Sequence, residues 1–297
     1  MAMRNSRVFI ISIAVCLLIL ASVIALRIAF HGNRPIFNGE RAYQDVLTQM
    51  SFGPRTPGSE AHSRTIDWLR HGLEKSGWTT DIQSVEVMGH PVQNIIAYRT
   101  EEPAQIILGA HYDSRLIADQ GTGPAGLEPV PGANDGASGV AVLLELARSL
   151  PSSTLPLQLV FFDAEDNGGL PGWDWLLGSR AFVASLSSKP RAAIIVDMVG
   201  DADLNIFVER NSDPQLVNQI WSQAASLGYQ VQFDSRPKYS MLDDHTPFLE
   251  AGIPAVDIID FDYPYWHTSE DTADKVSAQS LQIVGQTLWS WIVAQQR

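Results

Sequence analysis

Leu157-Gln158-Leu159-Val160-Phe161-Phe162-Asp163-Ala164-Glu165-Asp166 is the stretch that decides the fold. Five of its first six residues are apolar and none is a turn former. That pattern reads as a strand buried on both faces, as in the centre of a parallel sheet. The strand then gives way to three acids and to Asn167-Gly168-Gly169. Open α/β sheets bind ligands at the carboxyl ends of their strands. Carboxylates crowded there repel one another unless a cation or a shared proton holds them together. A lone Glu-Asp pair is more often a solvated loop, so the weight rests on what other strands bring to the same rim.

Working outward, apolar strands are expected at Asp81–Val87, Asn94–Arg99, Gln105–Ala110, Ala192–Val196, Leu204–Val208, Tyr229–Phe233 and Ala255–Ile259. Helices are expected at Glu40–Met50, from the Ser59 N-cap to Ser76, at Ala137–Leu150 (strongly amphipathic), Ser179–Leu186, Pro214–Leu227, Pro247–Ala251 and Ala278–Gln295. Strands alternating with helices predict a mostly parallel mixed sheet covered on both faces. Ser114–Gly132 is rich in glycine and proline without a period. A loop that long inside a compact domain is usually functional or mobile.

The chain has 297 residues, 45% of them hydrophobic, enough for one large α/β domain. A net charge of −13 argues against nucleic acid, whose phosphates would be repelled. The only cysteine, Cys16, excludes an intramolecular disulfide and any multi-thiolate zinc site. It lies within Val8–Leu26, 19 uncharged residues, long enough to span a bilayer. Arg4 and Arg7 precede this run and place the N-terminus in the cytoplasm. The expected organisation is a leader over 1–7, a single-pass transmembrane anchor over 8–30, a linker over 31–38 and an extracytoplasmic catalytic domain over 39–297. The alternative is a secreted protein released by signal cleavage near Ala21-Ser22.

Metal-type ligands follow apolar strands, or sit in glycine turns, at His111 and Asp113, Asp135, Glu165 and Asp166, and Asp197; His267 follows the last strand. Singly each is weak, since an Asp in an Asn-Asp-Gly turn is more often just a turn. Together on one rim they outweigh that prior. One His with two carboxylates and an open position is a fitting ligand set for a catalytic Zn²⁺ in a site without cysteine. Asp113 reads as an outer residue holding a ring N–H or the loop in place.

His111-Tyr112-Asp113-Ser114, Gly132-Ala133-Asn134-Asp135, Phe162-Asp163-Ala164-Glu165-Asp166, Asp197-Met198-Val199-Gly200 and His267-Thr268 resemble the successive motifs of the zinc aminopeptidase clan, from about Gly39 to the C-terminus. That clan includes di-zinc aminopeptidases and animal-type glutaminyl-peptide cyclotransferases. The resemblance implies that Asp135, Asp166 and His267 hold one zinc and that Glu165 is the general base and acid. In the peptidase branch His111 and Asp197 join Asp135 around a second zinc. In the cyclase branch Asp197 contacts the reacting amide and Asp243 supports that relay. Trp266, directly before His267, resembles the cyclase Trp-His-Thr motif, whose indole lines a pocket for the glutaminyl side chain. Gly172-Trp173-Asp174-Trp175 resembles the cyclase tryptophan segment, with Trp173 the expected contact. Gly136-Ala137-Ser138-Gly139 is instead similar to aminopeptidases. The usual Glu-Glu pair is Glu165-Asp166 here, so a metal must sit closer to that strand. The expectation is a zinc-dependent cyclase acting on peptide or protein N-termini, with a di-zinc aminopeptidase as the alternative and a non-catalytic receptor ectodomain a distant third.

Overall fold

The computed structural model describes residues 37–121, 128–152 and 155–295. The expected leader, the anchor and most of the linker lie outside the described residues, as does part of the Ser114–Gly132 loop. Among the described residues no helix is long and apolar enough to cross a membrane.

Two helices come first, α1 (Gly39–Phe52) and α2 (Glu60–Lys75). Asn38 and Ser59 cap them, their side-chain oxygens accepting from the Arg41 and His62 amides. Then β1 (Thr79–Val87) turns through Met88-Gly89 into β2 (His90–Tyr98), with Val87 opposite His90. Both turn residues have positive φ, 55° and 83°, as a two-residue hairpin of the right twist requires. The remaining elements are β3 (Ile106–His111), α3 (Ala137–Ser149), β4 (Leu157–Phe162), α4 (Leu177–Ser185), β5 (Ala192–Asp197), β6 (Ile206–Val208), α5 (Pro214–Ser226), β7 (Phe233–Pro237), α6 (Thr246–Glu250), β8 (Ala255–Ile259) and α7 (Ala278–Ala294).

Six strands form one sheet in the order β1-β2-β4-β3-β5-β8. β3, β4, β5 and β8 run parallel, and β2 joins β4 antiparallel. The opening strand is therefore the seam between the antiparallel hairpin and the parallel half. Period-two alternation divides its side chains between two cores. Leu157, Leu159 and Phe161 pack with α1, α2, α3 and α7, while Val160 and Phe162 meet Phe182 of α4 and Phe248 of α6. Burying such a side chain is worth roughly 1.5–3 kcal/mol, and the strand is fixed from both sides.

Two expectations need correction. α3 is not amphipathic: all its residues except Arg148 are buried, Glu145 included. It is enclosed by α1, α2, α7 and the sheet, so polar residues survive only where they are paired. Glu145 accepts from Arg41 Nε at 2.6 Å and from the Asn38 amide at 3.1 Å. The strand expected at Tyr229–Phe233 begins only at Phe233; Tyr229 instead folds back on α5, its amide donating to the Ala224 carbonyl. Helix-end hydrogen bonding there overrides the β propensity of Tyr229 and Val231.

Candidate active site

The parallel strands end at one rim, and the expected ligands stand there. His111 is the last residue of β3 and Asp197 the last of β5. Glu165 and Asp166 follow β4, His267 lies in the loop after β8, and Asp135 sits in the turn before α3. His111, Asp135, Asp166, Asp197 and His267 are all buried. His111 Nε2 lies 3.1 Å from both Asp135 Oδ1 and Asp197 Oδ1. His267 Nε2 lies 2.7 Å from Asp166 Oδ1 and 3.7 Å from Asp135 Oδ2.

Local backbone geometry aims these groups. Ala164, Met198 and His267 have φ of 52°, 46° and 55°, left-handed values that non-glycine residues adopt at a cost. Each adjoins a site residue or is one, so the strain bends the chain just where a strand must present its ligand. Gly136 allows Asp135 to approach: a Cβ there would sit 2.6 Å from His111 Nε2.

Asp113 takes the expected outer role. One oxygen is 3.4 Å from His111 Nδ1 and accepts the Glu165 amide at 3.1 Å; the other accepts the Asp166 amide at 3.4 Å. Three further supports were not foreseen. Asp271 accepts the amides of Asn134 and Asp135 at 2.8 and 3.1 Å, and the Tyr263 hydroxyl at 2.6 Å. Arg55 is fully buried and donates to the carbonyls of Tyr112, Pro131 and Gly132, tying the β3 end to the Asp135 turn. Asp119 approaches His267 Nδ1 at 3.4 Å and pairs with Arg115, which also donates to the Asp166 carbonyl.

Burial pushes the Glu165 carboxyl well above the usual carboxylate range; the nearby His111 opposes this and Asp166, Asp244 and Asp243 add to it. Burial likewise lifts Asp166 to about 6 and Asp197 to about 7. Asp135 Oδ2 and Asp166 Oδ2 are buried without a hydrogen-bond partner. Unpartnered carboxylate oxygens converging with imidazoles are costly unless a cation takes them up. Two overlapping groups meet that description, Asp135 with Asp166 and His267, and Asp135 with His111 and Asp197. The residues present therefore fit a divalent metal.

Above them opens a cleft of about 240 Å³, with Glu165, Asp197 and Asp243 in its lining beside Trp175, Phe261 and Trp266. The Trp266 and Trp175 rings lie near-parallel to the His267 ring, with centroids 3.8 and 6.1 Å away. Trp173, the expected contact, is elsewhere: it stacks on His90 at 3.6 Å beside the β1–β2 hairpin. Trp175 takes the place in the cleft because the turn after Asp166 folds it over Gly168 and Arg115.

The model of peptidase family M28 matches residues 94–292. Glutaminyl cyclase of Porphyromonas gingivalis superposes with a TM-score of 0.82 at 34% identity, covering 88% of this chain and 99% of that one. A Zn-dependent exopeptidase from Parabacteroides distasonis superposes with a TM-score of 0.81 at 31% identity, covering 87% and 98%. Glutaminyl-peptide cyclotransferase of Boiga dendrophila is 26% identical over 294 residues, 81% of this chain and 76% of that protein.

Proposed function

The chain belongs to peptidase family M28, and from that premise we propose that it is a zinc-dependent glutaminyl-peptide cyclotransferase. It would close an N-terminal glutamine to pyroglutamate and release ammonia. The observation that carries this reading is the aromatic slot of Trp175, Phe261 and Trp266 over the His267 ligand group, which suits a flat carboxamide better than a branched side chain. The likeness to the bacterial and snake cyclases supports it.

Asp135, Asp166 and His267 would hold the zinc, which when bound polarises the γ-carboxamide carbonyl. The slot fixes the glutaminyl side chain so that its own α-amine faces the γ-carbon, and ring closure becomes intramolecular. Glu165, kept protonatable by burial, accepts a proton from the attacking α-nitrogen and passes it to the departing amide nitrogen. Asp197 and Asp243 accept hydrogen bonds from that amide and orient it. Stripping the metal with a chelator should stop ammonia release from a Gln-initiated peptide, and added Zn²⁺ should restore it. Activity undiminished in fully stripped protein would refute the reading.

One observation favours a second reading. His111, Asp135 and Asp197 are themselves spaced as a ligand set, as a co-catalytic second metal of an aminopeptidase would require. Two ions in the cleft and release of free N-terminal residues would establish that alternative. The uncharged run Val8–Leu26 supports a membrane-tethered enzyme working outside the cytoplasm. Release of the intact chain by alkaline carbonate would contradict the tether.

A further inference from the structure

We propose that the chain carries an additional divalent-cation site, formed by Asp243, His245 and Asp257 behind the wall of the cleft. Asp243 and His245 belong to the turn entering α6, and Asp257 is the middle residue of β8. All three are buried, and one ligand atom from each lies within 4.8 Å of the others.

Their hydrogen bonding is incomplete in a way that points to a ligand. Both Asp257 carboxylate oxygens, His245 Nδ1 and Asp243 Oδ2 are buried without a hydrogen-bond partner. His245 Nδ1 stands 3.7 Å from Asp257 Oδ2. That is too long for a hydrogen bond. It suits two donors of one ion, since bonds of ~2.1 Å at a tetrahedral angle separate ligand atoms by ~3.4 Å.

The other side of the imidazole has the support such a ligand needs. His245 Nε2 is 3.3 Å from Glu209 Oε2. Glu209 is held in turn by the amides of Met241, Asn211 and Ser212 and by the Ser212 hydroxyl. The same Ser212 oxygen accepts the Asp257 amide at 3.0 Å. A carboxylate fixed against the far nitrogen of a histidine orients the ring and raises its basicity toward a metal.

Charge points the same way. Among the described residues no Lys or Arg pairs with Asp243, Asp257 or the neighbouring buried Asp244. A divalent ion would neutralise the group, and one imidazole with two carboxylates suits Zn²⁺ or a similar first-row cation. Because Asp243 also faces the cleft, the ion would act as a rigid backstop for that side chain, whichever reaction the cleft performs.

Metal analysis of the purified full chain, grown with zinc, tests the site. Asp257→Asn, nearly isosteric, should carry one equivalent less than the parent, while Asp166→Asn should lose cleft metal and keep this one. Crystals of the parent should show an anomalous zinc peak between His245 Nδ1 and Asp257. A folded Asp257→Asn protein with the parent's metal content would overturn the proposal. So would parent crystals showing only a light atom there, whether or not the variant folds.

Discussion

Asp135 faces two imidazoles at once, Oδ1 at 3.1 Å from His111 and Oδ2 at 3.7 Å from His267. It is the one residue shared by the two ligand groups of the cleft. Asp135→Asn should therefore weaken cleft metal binding more than ~100-fold, beyond what loss of an outer partner does. His111→Ala should leave the cleft's zinc count unchanged in a cyclase and remove one equivalent in a di-zinc peptidase. Elemental analysis of the two variants separates these outcomes.

Glu165→Gln keeps the shape of the side chain but removes its proton traffic. We expect kcat to fall by about 10²–10⁴-fold with metal content unchanged. Retention of kcat would remove Glu165 from its role. Loss of metal along with activity would instead make it a ligand.

Only one tryptophan of the 173/175 pair lines the cleft. Trp175→Ala should raise KM about tenfold, as the loss of ~1.4 kcal/mol of aromatic contact would. Trp173→Ala, which unstacks from His90, should leave KM within about twofold while lowering the melting temperature. Equal effects of both on KM would contradict this placement.

Asp271 is buried outside the cleft lining and accepts the Asn134 and Asp135 amides. Asp271→Ala frees that turn, and zinc affinity should fall about 10–100-fold. Raised zinc concentration should rescue activity. Failure of excess zinc to restore turnover would show that the turn does more than seat the ligand.

The sequence made the rim legible because each ligand follows an apolar run whose burial forces a strand, and a parallel sheet presents strand ends at a common edge. Leu157–Phe162 and Ala192–Val196 are clear cases. The supports were hidden for a different reason. Asp271 and Arg55 act by hydrogen bonds to backbone far away in the chain, and neither their spacing nor their neighbours carry a periodic signal. Pro57 and Gly58 mark only a turn after Arg55. Trp173 and Trp175 are two residues apart with similar flanks, so only the fold of the Gly168–Gly172 turn separates a hairpin contact from a cleft wall. The all-round burial of α3 was partly visible in its run of Val, Leu and Ala, but paired Glu145 and Arg148 gave it a polar face on paper.

The most direct measurement incubates the purified, zinc-loaded chain with a Gln-initiated and a Leu-initiated dipeptide and follows both by mass spectrometry. A cyclase converts the first to a product lighter by one ammonia and leaves the second intact. Release of free leucine, with the glutaminyl peptide uncyclised, would contradict the account.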